Sequence, residues 1–370
     1  MKQQVSIYEE YDFDPYAPSQ DAFIQLEQYL LSNDCDCLIS YLYIPEISDL
    51  CNKYTYRYIC WVFDSPLASL FHRSIQNPCN YLFIFDKEEY KKMCTWNIRH
   101  LYYLPMGTNT SRTGALDISI EDEQTYKCDV SFIGNLYENN IYDKFIHALP
   151  ENIAAELKQY LVNHLCNWSD TKQWPCLSPE STAYIVQTMD PSQWNRYDMD
   201  FDLFLGVSLL SRKLAEMDRV TILNTLSEQF SVHLYTNSDC SCLQDYLKHV
   251  HIHPSAEYHT EMNKVFYLSK INLNVTLPSI ETGIPQRVFD IMGAGGFVLT
   301  NYQAEMDDLF DIGEEIETFR NLDELKEKTA YYLSHEQERL RIALNGYRKV
   351  QNEFSYSHQM SKILQIIKEN

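Results

Sequence analysis

Arg287 and Asp290 lie three residues apart in the stretch Ile271–Thr300, INLNVTLPSIETGIPQRVFDIMGAGGFVLT. At that spacing both point to one side of a helix that opens at Pro285. The first turn of a helix offers unpaired N–H groups and the positive end of a dipole, and both favour an anion. A guanidinium there adds a two-pronged donor for phosphate. A carboxylate one turn further on can accept hydrogen bonds from sugar hydroxyls. Arginine for phosphate and carboxylate for ribose would suit a nucleoside diphosphate. The competing reading is a surface i,i+3 ion pair, worth tenths of a kcal/mol, and these residues alone do not choose between the two.

The elements that must position this pair follow from the pattern around it. Ile271, Leu273 and Val275 alternate with polar residues as in a strand. Pro278, Gly283 and Pro285 punctuate a loop. Val288, Phe289, Ile291 and Met292 give the helix an apolar side, Gly293, Gly295 and Gly296 stop it, and Phe297–Leu299 is a short buried strand. Upstream, strands are expected at 4–10, 38–42, 58–63, 81–85 and 101–104, with helices near 23–31, after Pro45, at 67–73 and after Asp86. A second series begins at Val130–Ile133. It continues with helix over 141–165 broken at Pro150, a locally packed connection over 166–200, and a long helix over 205–230. Strands at 232–235 and 251–253 and a helix over 258–268 follow. A strand at 315–319 and helices at 322–333, 336–352 and 356–368 complete the chain. Alternating strands and helices imply parallel, doubly wound sheets. Residues 105–123 are poor in large apolar residues and read as the link. The expected organisation is α/β, with one unit over 1–112 and a second over 120–354.

Composition narrows the function classes. The 370 residues suffice for two domains, and 45% are hydrophobic. Thirty basic against 52 acidic residues give a formal charge of −22. That excludes nucleic acid and anionic membrane as expected partners but leaves room for a small anion held by one or two cations. No run reaches the roughly 20 apolar residues of a membrane span, and MKQQVSIYEEYDFDPY lacks the apolar core of a signal peptide. A cytoplasmic location is therefore expected. The 11 cysteines form no CxxC, and the pairs Cys35/Cys37 and Cys240/Cys242 lack partners at zinc-finger spacing. They read as reduced thiols.

GIPQRVFDIMGAGGFVLTNYQAEMDDLF resembles the carboxyl-terminal signature of the CgeB-like (spore-maturation-type) glycosyltransferases, part of the wider GT-B group of nucleotide-sugar transferases. The resemblance continues through DDLFDIG, LDELKEKTAYYLSHEQERLRIALNGYRKV and SKINLNVT. It reaches the amino-terminal half at WVFDSPL, YLFIFDKEEY, YYLPMGTN and DVSFIGNLY. It covers most of the chain from about residue 55, with 165–205 the weakest part. It implies a GT-B fold of two Rossmann-like domains facing a cleft, with the terminal helix, 355–370, crossing back to the first domain. It further implies a bacterial enzyme moving a sugar from a nucleoside-diphosphate sugar, UDP-sugar favoured, to a protein or glycan acceptor. The wider group often carries ExFGxxxxE, whose acids meet the donor sugar and the ribose. Aligning the helix puts Asp290 at the second acid, Thr282 at the first beside Glu281, and Ile284-Pro285 in place of Phe-Gly. Gly283 could still offer backbone N–H groups. The altered motif leaves open a non-catalytic nucleotide-sugar-binding or assembly protein on the same fold.

The remaining candidates are loops beyond the carboxyl ends of strands, where open α/β sheets bind ligands. Gly134-Asn135 permits close backbone approach to a phosphate or sugar and is equally compatible with a plain turn. In GT-B folds the matching loop faces the donor diphosphate. Thr236, Asn274 and Thr276 are further donor-side candidates. Tyr258 could border the base or pack under a helix. Arg219 is a possible extra phosphate ligand, although Arg212, Lys213 and Arg219 read more simply as a solvated helix face. Asp64 could be an acceptor-side carboxylate, and the general base if the transfer inverts configuration. The local alternative has Ser65 as N-cap and Pro66 in the first helical turn. His72 is a weaker candidate. Asp198-Met-Asp200 imitates a metal-binding DxD but follows no buried strand and reads as an acidic turn. No essential metal and no cofactor are expected, so phosphate charge falls to Arg287 and helix N-termini.

Overall fold

The computed structural model describes residues 19–33, 35–113, 116–168, 174, 177–189 and 197–369. The strand expected at 4–10 lies outside them. The first sheet contains β1 (Cys37–Ser40), β2 (Arg57–Val62), β3 (Asn80–Ile84) and β4 (Leu101–Tyr103), all parallel and in sequential order. The second contains β5 (Val130–Ile133), β6 (Val232–Thr236), β7 (Val250–Pro254), β8 (Ile271–Asn274), β9 (Val298–Asn301) and β10 (Glu317–Phe319). Its spatial order is β7-β6-β5-β8-β9-β10, again all parallel. The chain thus moves outward from β5 in one direction, returns to the other side of β5 at β8, and moves outward again. That reversal is the doubly wound pattern, and it opens a crevice beside β5.

β2 and β3 form where the sequence is mostly apolar, and β8 where apolar residues alternate with asparagine. Every residue of β3 and β8 is buried, as are five of the six in β2, because helices cover both faces. The helix Gln286–Gly293 buries Val288, Phe289, Ile291 and Met292. Pro285 stands just before it as the N-cap, one position earlier than the sequence suggests, and no side chain caps its N–H groups. The terminal helix Tyr356–Glu369 does cross back. Its Gln359 donates to the carbonyls of Pro105 and Met106 at 2.8 and 3.1 Å, while Ile363 and Ile367 join the core built on Ile59, Trp61 and Phe83.

Some local expectations change. Residues 67–73 form no α-helix but two short 3₁₀ turns, Ala68–Phe71 and Arg73–Gln76, and Ser65 caps neither. The helix expected from Tyr258 starts at Met262, because Glu257 accepts from the N–H groups of His259 and Thr260 and closes a turn first. The long helix opens with a wide π-type turn, Leu205–Leu210, before Ser211–Ser227, and Gly206 there lies under the ring of Trp174. A helix at Pro179–Thr188, capped by Ser178, occupies part of the stretch expected to be irregular.

The two sheets are also joined by polar contacts at the end of β3. The Asp86 carboxylate, fully buried, accepts from Glu88 N and Glu89 N of its own helix and from Glu281 N, Thr282 N and Thr282 Oγ1 of the second half. Glu305 answers from the other side, accepting from Lys87 N, Thr282 Oγ1 and Tyr103 Oη at 2.7, 2.8 and 2.5 Å. Beside them Glu89 is buried and accepts from Ser65 Oγ at 2.6 Å. Burial pushes its carboxyl up to about 8 from an ordinary 4.5, against the opposing effect of the Ser65 hydrogen bond. Below pH 4.5 both the folded and the unfolded chain hold this proton. Between 4.5 and 8 only the folded chain does, so stability is lost as pH rises, by at most about 1.4 kcal/mol per pH unit from this group. Glu89→Gln should flatten that decline. Urea denaturation from pH 5 to 8.5 measures it, and parallel wild-type and variant curves would exclude a buried, protonated Glu89.

Candidate functional site

A cavity of about 260 Å³ opens at the carboxyl ends of β5, β6 and β7, beside the point where the strand order reverses. Its wall combines Ile133, Gly134 and Asn135 after β5, Tyr235, Thr236 and Asn237 at β6, Ser255 and Ala256 after β7, and the side chains of Met262 and Arg287. Four residues expected from the sequence to bind one ligand, Gly134, Asn135, Thr236 and Arg287, therefore meet here. The loop after β5 is shaped by its own hydrogen bonds. Asn135 Oδ1 accepts from Tyr137 N at 2.5 Å and Ser238 Oγ at 3.0 Å, and Leu136 N donates to Ser238 Oγ at 2.8 Å.

Arg287 projects from the first turn of its helix, where the N–H groups are uncapped. Its Nη1 lies 2.7 Å from Met262 Sδ and its guanidinium 5.6 Å from the Phe266 ring centroid. No carboxylate among the described residues pairs with it. Burial draws its pKa down, and nearby Asp290 opposes that shift. A half-buried cation that lines a cavity beside a sulfur and an aromatic ring, with no carboxylate partner among the described residues, is suited to an anion.

Asp290 is 3% exposed, so the ordinary surface ion pair is not what forms. Its Oδ1 accepts from Thr108 Oγ1 at 2.5 Å and lies 3.8 Å from Arg112 Nη2. Burial raises its pKa; the Thr108 hydrogen bond, Arg287 and Arg112 pull the other way. Gly293 makes the approach of Thr108 possible, since a Cβ there would stand 2.6 Å from Thr108 Cγ2. Tyr258 is brought to the same cluster. Its ring lies 3.8 Å from the Arg112 guanidinium carbon, and its carbonyl accepts from Arg112 Nη1. The sequence offers no signal for Arg112, which falls in a segment without periodicity.

Arg219 is a correction. It lies on no solvated face, being 8% exposed, and both its terminal nitrogens are engaged by backbone. Nη1 donates to the Asn135 carbonyl and Nη2 to that of Val275 at 2.8 Å, with the Tyr137 ring centroid 4.8 Å away. It ties the loop after β5 to the end of β8. Asn274 and Thr276 are likewise internal. Asn274 Nδ2 donates to Thr276 Oγ1 and Thr300 Oγ1, and Thr276 N to Asn301 Oδ1 at 2.6 Å.

The loop before the Arg287 helix faces the first sheet rather than the cavity. Thr282 is bound to Asp86 and Glu305, and a Cβ on Gly283 would meet the Phe85 ring at 2.8 Å. Ile284 is buried in the shared core, and Glu281 pairs with Lys92. Asp64 is exposed beyond β2, next to Ser65, whose carbonyl accepts from Ser279 Oγ at 3.1 Å. His72 caps a turn through Nδ1. Asp200 caps the helix Phe201–Phe204 by accepting from Asp202 N, so the DxD sequence forms a helix start.

Residues 218–365 match a family model described as glycosyl transferase-like. No curated protein matches the chain. Among solved structures, a glycosyltransferase from Rickettsia africae ESF-5 aligns over 100% of this chain and 84% of its own, at 11% identity and a TM-score of 0.53. Anabaena HepE in complex with UDP aligns over 95% and 82%, at 8% identity and 0.55. Sucrose-phosphate synthase from Thermosynechococcus elongatus aligns over 94% and 77%, at 10% identity and 0.55. Identities this low speak to fold alone. The chain has the GT-B glycosyltransferase fold, and its residues 218–365 match a glycosyl transferase-like family model.

Proposed function

We propose that the chain transfers a sugar from a nucleoside-diphosphate sugar, a UDP-sugar in first place, to a protein or glycan acceptor. The observation that carries this reading is the half-buried Arg287 guanidinium, which lines the cavity at the sheet's reversal point and has no carboxylate partner among the described residues. The HepE structures, which hold UDP and UDP-glucose on a similar fold, support the choice of uridine. Arg287 and the uncapped helix start neutralise the departing diphosphate, without an essential metal. Asp290 takes the ribose, oriented by Thr108. Residues 120–354 hold the donor, and residues 1–112 with the terminal helix present the acceptor. Asp64 contacts the acceptor, and in an inverting transfer it takes the hydroxyl proton. The compartment we assign is the cytoplasm, where buried thiols such as Cys51 and Cys60 stay reduced.

A second reading, a nucleotide-sugar-binding protein without transfer, draws on Thr282. It stands where the related motif carries the sugar-contacting acid, and its hydroxyl is turned to Asp86 and Glu305. Incubation with UDP-, GDP-, ADP- and dTDP-sugars separates the two. Transfer or slow hydrolysis releases free nucleotide; tight binding without release favours the second reading.

Arg287→Ala should weaken UDP binding by about 10- to 150-fold, the loss of a charge-assisted hydrogen bond. Arg287→Lys should recover part of it, since a point charge cannot grip two oxygens. Titration calorimetry that found unchanged affinity in folded Arg287→Ala protein would remove the site assignment. Asp290→Asn should act on the fold as well. It leaves the buried Arg112 guanidinium without its nearest carboxylate, and breaking such a buried pair costs about 3 kcal/mol or more. Thermal melting should show the loss, and added UDP should restore part of it.

A further inference from the structure

Arg112 sits in the connection between the two sheets, and the reading above gives it no task. Its side chain is 7% exposed. One nitrogen, Nη1, donates to the Tyr258 carbonyl, and the guanidinium lies flat against the Tyr258 ring. Nε and Nη2 are buried and have no hydrogen-bond partner among the described residues. Asp290 Oδ1, at 3.8 Å from Nη2, attracts the charge but is too far to accept a hydrogen bond. The geometry differs from that of Arg219, two of whose nitrogens are taken by carbonyls. Charge gives the same indication. Arg112 and Arg287 flank a single carboxylate, Asp290, so this buried cluster carries one positive charge in excess. Unmade hydrogen bonds of a buried charged donor are costly, and an oxyanion supplies both the missing acceptors and the missing charge.

We propose that Arg112 is a second diphosphate ligand, reaching from the connecting segment to the same anion as Arg287. This rests on the nucleotide reading above. Tyr258 is then the plate that holds the guanidinium plane, and not a contact of the base. Because Arg112 follows Thr108 in one short segment, ligand binding also fixes the connection between the two halves.

Titration of the full chain with uridine, UMP and UDP tests this. Arg112→Gln should lower UDP affinity about 10- to 100-fold, UMP affinity less, and uridine affinity by under about twofold. Arg112→Lys, which keeps charge and much of the packing, should recover part of the UDP loss and serves if the Gln variant melts early. Equal losses for all three ligands would mean that Arg112 only tethers the segment, and would overturn the proposal. So would unchanged UDP affinity in Arg112→Gln while Arg287→Gln loses it, a result that leaves the nucleotide reading intact. Failure of the wild-type chain to bind UDP would sink both.

Discussion

Thr108 holds three elements in register. Its N–H donates to the Phe354 carbonyl at 3.0 Å, and its carbonyl accepts from Tyr356 N at 2.9 Å, which fixes where the terminal helix begins. Its hydroxyl donates to Asp290, and its methyl packs on Gly293 at the far end of the Arg287 helix. The residue is fully buried, so each of these groups would carry a desolvation cost if left unmade. The connecting segment, the returning helix and the site helix are therefore one assembly. The position of Asp290 depends on where the first sheet ends as much as on its own helix.

The opposition between global and local charge follows from the same burial. The chain carries a formal charge of −22, which alone would repel a nucleotide. Screening limits that repulsion to about 8 Å at physiological ionic strength. At the cavity the local field comes instead from Arg287 and an uncapped helix start, with Arg112 and Asp290 packed behind them. Low local dielectric strengthens these short-range terms. An acidic surface is thus compatible with the proposed anion site, and composition could argue against extended polyanions without excluding a small one.

The fold was legible where local pattern and burial agree. β2 and β3 are continuous apolar runs because helices cover both faces of the sheet, and the Arg287 helix shows an apolar side between proline and glycine. Gly134, Asn135 and Thr236 could be picked out because each lies at or just after a strand end, and Arg287 because it falls in the first turn of a helix. What stayed hidden are pairings between distant residues. Arg219 looks like a solvated charge on a helix until the carbonyls of Asn135 and Val275 fold onto it. Thr282 and Gly283 look donor-facing until Asp86 and Phe85 arrive from the first sheet. Arg112 has no periodic context at all, and only burial beside Tyr258 and Asp290 marks it.

The loop from Thr276 to Gln286 is where these non-local pairings have a mechanistic consequence. Ser279 donates to Ser65, next to Asp64, and is held from the second half as well, since its N–H is bound to Ser211 Oγ at 3.0 Å. Two residues further on, Glu281 and Thr282 are bound to Asp86, and the chain then enters the helix that aims Arg287. Displacing the first sheet would break these bonds or pull on the helix start. Transfer between two bound substrates gains most from fixed orientation, and errors near 1 Å are costly. In the proposed transfer, a loop bound at one end to the Asp64 strand end and leading at the other into Arg287 would set that distance by covalent continuity. The absent acid at position 282 fits this role, because a carboxylate there would face Asp86 and Glu305, and like charges in a buried site repel. The hydroxyl of Thr282 donates where a carboxylate could not, so the departure from the related motif is what closes the contact between the two halves.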